Sequence, residues 1–150
     1  MKVTTTLLIL LSAALVPTAI ADKGHEAHAG HMLQGYQKVA HALFQDNLET
    51  AKAEAAKMAH HDEESACAPH AEAIAAAKSH EEARGHFKML SAEAIKMAEK
   101  REGYVVMHCP MVKGGGGDWL QSKEHAAHVQ NPYFGSQMPN CGAPKKPKAE

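Results

Sequence analysis

The feature that most constrains this chain is a set of small and apolar residues repeating at helical spacing between Met32 and Gly103. Tyr36, Val39, Ala40, Leu43 and Phe44 recur every three or four positions, the spacing of one face of an α-helix. They predict an amphipathic helix over about Met32 to Gln45. Asp46 is placed to cap a second helix, with Leu48, Ala51, Ala55, Met58 and Ala59 on its stripe, ending near His60 and His61. A short third helix is expected from about Pro69 to Lys78, with the proline in its first turn. Ser79 and Glu82 form a capping-box pattern before a fourth stripe, Ala83, Phe87, Leu90, Ala94 and Met97. Gly103 fits a helix terminator. The expected fold is all-α: a four-helix bundle, alanine-rich on its packing faces, under an irregular C-terminal cap. Met58 and Met97 on the stripes read as adaptable core filler.

The ends of the chain read differently. Met1 and Lys2 precede an apolar run from Leu7 to Val16, and Ala19-Ile20-Ala21 fits a small-residue cleavage site. Residues 1–21 are therefore expected to be a secretory signal peptide. No other run is long and apolar enough to span a bilayer. Residues 22–31, "DKGHEAHAGH", hold His25, His28 and His31 and no large apolar residue, and predict a histidine-rich disordered tail. Residues 32–142 form the expected single helical domain, and residues 143–150, "APKKPKAE", a disordered basic tail. The formal net charge is -1, which gives no reason to expect a nucleic-acid or anionic-membrane partner.

The twelve histidines and eight methionines are many for 150 residues, and both side chains are metal ligands. Three of the histidines and three of the methionines fall with two of the three cysteines between Met107 and Cys141. In "YVVMHCPM", Tyr104 to Met111, the β-favouring start and Pro110 suggest extended backbone. Met107, Cys109 and Met111 would then face one side and His108 the other. Gly114 to Gly117 would let the chain fold back, with Trp119 and Leu120 anchoring the return. A short helix is expected over Ser122 to Gln130, placing His125 and His128 on one face. "NPYFGSQMPNCG" brings Met138 and Cys141.

Two readings of these sulfurs stand side by side. Thiolate and thioether donors select Cu(I) or another soft heavy metal. Cys109 and Cys141 would be its thiolate ligands, Met107, Met111 and Met138 its thioether donors, and His108 an auxiliary donor or an exposed residue facing away. His25, His28 and His31, and the pair His125 and His128, are accessory candidates for metal, each with a plainer reading as solvated side chains. In the other reading Cys109 and Cys141 form a disulfide, as an oxidising compartment favours, and the methionines pack beside it. Cys67 has no local partner. A thiol redox enzyme is the weakest reading, because no C-x-x-C occurs and no base is identifiable beside either thiol. The chain is therefore not expected to be an enzyme.

"HCPM", the glycine run ending in "DWL", and "NPYFGSQM" followed by "CG" together resemble a family of exported helical domains of undefined function. Members of that family also occur attached to the periplasmic adaptor subunits of copper/silver-type heavy-metal efflux pumps. "REGYVV" and "EEARGHFKMLS" fit the same pattern, so the resemblance spans about Met32 to Gly142. Pro139 stands where the family carries an apolar residue. The resemblance implies a periplasmic helical module linked to heavy-metal handling, with an efflux adaptor or another envelope protein as partner.

Overall fold

The computed structural model describes residues 19–99 and 101–146, with side chains from Glu26 onward. The predicted signal peptide lies outside the described residues except for its last three. Four helices are present among them: α1 (Ala19–Phe44), α2 (Leu48–His61), α3 (Ala68–Ala76) and α4 (His80–Ala98). Three strands follow, β1 (Tyr104–Cys109), β2 (Gly117–Ser122) and β3 (Ala143–Pro144), forming one antiparallel sheet in the order β2-β1-β3. The fold is thus predominantly helical but not all-α, and the C-terminal cap holds a small sheet within otherwise irregular chain.

The helical stripes bury as their spacing predicts. Tyr36, Val39 and Leu43 of α1, Ala51, Ala55 and Met58 of α2, and Ala83, Phe87, Leu90 and Ala94 of α4 all lie in the core. Met97 is half-buried and Met89, off the stripe, is 52% exposed. Alanine at so many facing positions lets the helix backbones approach closely. Tyr36 stacks on Phe87 at 5.4 Å between ring centroids, and Phe87 meets Tyr133 edge-on at 5.5 Å. Trp119 of β2 packs edge-on against Tyr133 at 6.1 Å, so one aromatic row joins α1, α4, the sheet and the C-terminal loop.

Several boundaries differ from expectation. Asn47, not Asp46, caps α2, its side chain accepting the Thr50 amide at 3.0 Å. Asp46 takes a left-handed turn at φ 54°, which frees its carboxylate to work elsewhere. At α4 the expected cap holds: Ser79 Oγ accepts the Glu82 amide at 3.1 Å. The Glu82 carboxylate returns to the Lys78 amide at 2.8 Å, one residue earlier than a standard capping box.

The segment expected to be a histidine-rich disordered tail, residues 22–31, is the first part of α1. Its glycines are weak helix formers. Contacts from distant residues override that weakness. The Arg101 guanidinium donates to the Glu26 carbonyl at 2.5 Å, and His28 bonds Asp62 at 2.6 Å.

The tail expected from residue 143 also orders at its start. Ala143 and Pro144 pair with His108 and Met107, and the Lys145 amide donates to the Val106 carbonyl at 2.7 Å. In place of the helix expected over Ser122 to Gln130 there is one 3-10 turn, Lys123–His125, and then irregular chain. Gln121, buried beneath it, satisfies that chain: its amide donates to the His125 and His128 carbonyls at 2.7 and 2.8 Å.

Candidate thiol site

Strand β1 runs through the "YVVMHC" segment, so its side chains alternate as the extended reading requires. Met107 and Cys109 point into the core, both fully buried, and His108 points outward. The alternation stops at Pro110, where the strand gives way to a turn. Met111 therefore leaves the shared face and is 62% exposed, against the expectation that it would converge with Met107 and Cys109.

The glycine run makes the reversal. Gly114, Gly115 and Gly116 take φ of 79°, 91° and 90°, a region that residues with a Cβ avoid. The Gly116 amide closes the turn on the Val112 carbonyl at 2.9 Å. The returning strand then pairs Cys109 with Gly117, His108 with Asp118 and Met107 with Trp119.

Cys141 arrives from the other side on a loop organised by Asn131, a fully buried polar residue. The Asn131 amide donates to the Pro139 carbonyl at 3.0 Å, and its side-chain nitrogen donates to the Cys141 carbonyl at 2.6 Å. Its side-chain oxygen accepts the Tyr133 amide at 2.8 Å. Beyond Cys141, β3 pairs with β1 and fixes the approach.

The result brings the two cysteines together. The Cys141 thiol lies close beside that of Cys109. That contact and partial burial push the Cys141 thiol up from its ordinary value, while the Met111 backbone amide, facing the same sulfur, acts in the opposite sense. Met111 thus reaches the pair through its backbone, not its thioether. Both cysteines are free, as is Cys67, which is buried at the start of α3. Burial pushes the Cys67 thiol up, against a hydrogen bond from Ser65.

Cys141 is the accessible member. With His108, Pro110, Gly142, Pro144 and Lys145 it lines an open groove of about 470 Å³. His108 does not turn toward the sulfurs. Its Nδ1 bonds Asp118 Oδ1 at 2.6 Å, and Lys145 pairs with the other oxygen of the same carboxylate. Burial opposes ionisation of Asp118, but these two partners outweigh it and hold the carboxyl below the usual range. Asp118 was legible only as the residue after the glycines, with no signal of this role.

The other candidate donors divide as follows. Met107 lies one alternate position from Cys109 on the same face, opposite Trp119. Met138 is half-buried at the end of a 3-10 turn, Gly135–Gln137, and its carbonyl accepts the Cys141 amide at 3.2 Å. His125 and His128 are exposed and frame the turn through their carbonyls. The His25 side chain falls outside the described residues, while His28 and His31 meet the end of α2. Among the described residues, no three His, Cys, Asp or Glu side chains stand at metal-holding distance from one another. No helix among them is long and apolar enough to cross a membrane.

Two thiols in contact can lose two protons and two electrons to become a disulfide. They can also lose protons alone and hold a soft d¹⁰ ion between two thiolates. Compared with family models, curated proteins and solved structures, the chain matches none.

Proposed function

We propose that this chain is a periplasmic, non-catalytic binding protein for a soft metal ion, Cu(I) being the first choice, used in buffering, delivery or efflux. The observation that carries the reading is the Cys109–Cys141 contact, which joins one core-anchored thiol to one open on a groove. Cu(I) accepts two thiolates readily, and a soft donor pair discriminates against hard cations. Cys109, fixed in β1, supplies the positioned ligand, and Cys141 the ligand at which an ion is handed over by exchange. Met107 is the nearest thioether along the same face of the strand. The partner that would receive or supply the ion is a heavy-metal efflux adaptor or another envelope protein.

A second reading has its own support. Met111 is largely exposed and His108 is engaged by Asp118, so neither stands as a third donor beside the thiols. These facts favour a disulfide-stapled helical module that docks on an envelope protein and takes no metal.

The two separate in an anaerobic Cu(I) titration against a chromophoric chelator, with a free-thiol count on reduced and oxidised protein. One-to-one binding in the reduced chain alone, lost on Cys109→Ser or Cys141→Ser, supports the metal reading. A bridge that resists mild reductant, with no uptake once it is broken, supports the module.

A further inference from the structure

A second cluster of metal-ligating side chains lies where α1 passes the end of α2, away from the thiols. His28 and His31 are one turn apart on α1, and both rings lie against that of His61, the last residue of α2. The ring centroids stand 5.3 Å apart for His28 and His61, and 4.0 Å for His31 and His61. The next residue, Asp62, accepts a hydrogen bond from His28 Nε2 at 2.6 Å.

We propose that His28, His31 and His61 form an interhelical site for a borderline divalent cation of the Zn(II) or Ni(II) type, with Asp62 orienting His28. This inference is independent of the thiol reading. Three neutral imidazoles suit such ions rather than hard cations. When His28 donates Nε2–H to Asp62, its Nδ1 carries the lone pair, and a carboxylate behind a ligating imidazole fixes its tautomer and raises its basicity. The last carbonyls of α2 carry partial negative charge and favour a cation at this end.

His31 and His61 now lie nearly parallel, at 11° between planes, so their nitrogens do not converge and the three imidazoles are not at metal-holding distance as they stand. A shared ion requires one ring to turn about its terminal torsion, which is soft for histidine. Both residues are exposed, and the turn would have to break the His31–His61 stack. His60, the neighbour of His61, is engaged elsewhere, bonding Glu63 at 3.3 Å.

Occupation would clamp the first turns of α1 to α2, so the same ion would be both ligand and staple. The test is Zn(II) titration of the full chain against a chromophoric chelator at pH 7.5, with His28→Ala, His61→Ala, His61→Gln and His125→Ala beside the parent. Melting curves with and without Zn(II), and imidazole ¹⁵N shifts, are recorded on the same samples. The expected result is one Zn(II) equivalent weakened tenfold or more in the His28 and His61 variants and unchanged in His125→Ala. Zn(II) should shift the His28, His31 and His61 resonances and raise the melting temperature of the parent but not of the His61 variants. Parent-like zinc binding in both His61 variants would overturn the site, as would an equal loss in His125→Ala or the absence of shifts at the three imidazoles. His61 is exposed, so metal-free melting of its variants should match the parent. Should His61→Ala melt lower, His61→Gln and the parent's ¹⁵N shifts still decide the question.

Discussion

Tyr36 on α1 accepts the backbone amide of Leu120 through its hydroxyl at 3.1 Å, across 84 positions of sequence, with both residues buried. The same hydroxyl shares a 2.8 Å hydrogen bond with Ser91 of α4. One phenol therefore satisfies a strand amide and a helix hydroxyl inside the core, joining both helices to the sheet that carries Cys109. Tyr36→Phe keeps the ring but leaves the Leu120 amide without its partner. A buried donor stranded in this way costs about 1–3 kcal/mol. Chemical denaturation should show that loss with little change in slope. Amide exchange should speed at Leu120 more than in α2, which the bond does not touch.

Asp46 ties three parts of the chain together. Its carboxylate accepts the Ser136 amide at 2.9 Å and an Arg84 Nη2–H at 2.5 Å, and Arg84 also donates to the Leu43 and Pro132 carbonyls, each at 3.0 Å. The Ser136 hydrogen bonds, opposed by burial and helped by Arg84, lower its pKa from 3.8 to about 2. A carboxyl depressed in the folded state stabilises the fold above its unfolded pKa, and that contribution disappears as pH falls through the folded value. Asp46→Asn suits the left-handed backbone at this position, removes the charge and turns one of the two accepting oxygens into an NH2 donor. The stability difference between wild type and this variant should be about 1–2 kcal/mol near pH 6, allowing for solvent screening. It should shrink between pH 4 and pH 2. A difference that stays constant over that range would place the effect in packing.

The Cys109–Cys141 contact makes a prediction that holds whether or not a metal binds. Mild oxidation should take the native free-thiol count from three to one. The remaining thiol should be Cys67, whose burial and raised pKa keep it from alkylation until the chain unfolds. Closing the loop between Cys109 and Cys141 should stabilise the fold by about 3–4 kcal/mol in the chain-entropy picture. Peptide mapping of the alkylated protein and paired melting curves check both statements.

The helices were legible because burial and spacing agree at single residues. Val39, Leu43, Phe87 and Leu90 each follow from periodicity alone, and Ser79 from its relation to Glu82. The alternation that buries Met107 and Cys109 was also legible, since it needs only an extended strand. What escaped depends on partners far away in sequence. Strand β3 is two residues that exist because β1 has an edge to pair. The first turns of α1 hold despite Gly24 and Gly30 because Asp62 and Arg101 meet them. Extending the strand one step past Pro110 would put Met111 with the sulfurs, but the turn begins there.

Gly142 links Cys141 to β3 and offers the sharpest test of how that thiol is positioned. Its φ is 139°, and a Cβ there would stand 2.5 Å from Trp119 Cη2 and 3.2 Å from the His108 carbonyl. Neither neighbour can yield easily, because the indole is core and the carbonyl belongs to a paired strand. Gly142→Ala should therefore destabilise the fold by about 1–3 kcal/mol through strain and displacement. It should also slow oxidation of the Cys109–Cys141 pair severalfold by moving Cys141 off its partner. Gly85 is the control: it lies within α4, is exposed, and has no atom within 4 Å of an added Cβ. Gly85→Ala should stabilise the helix by about 0.5–1 kcal/mol and leave the oxidation rate alone. Equal oxidation rates in both variants would mean that the loop around Asn131, not the junction at Gly142, sets the position of Cys141.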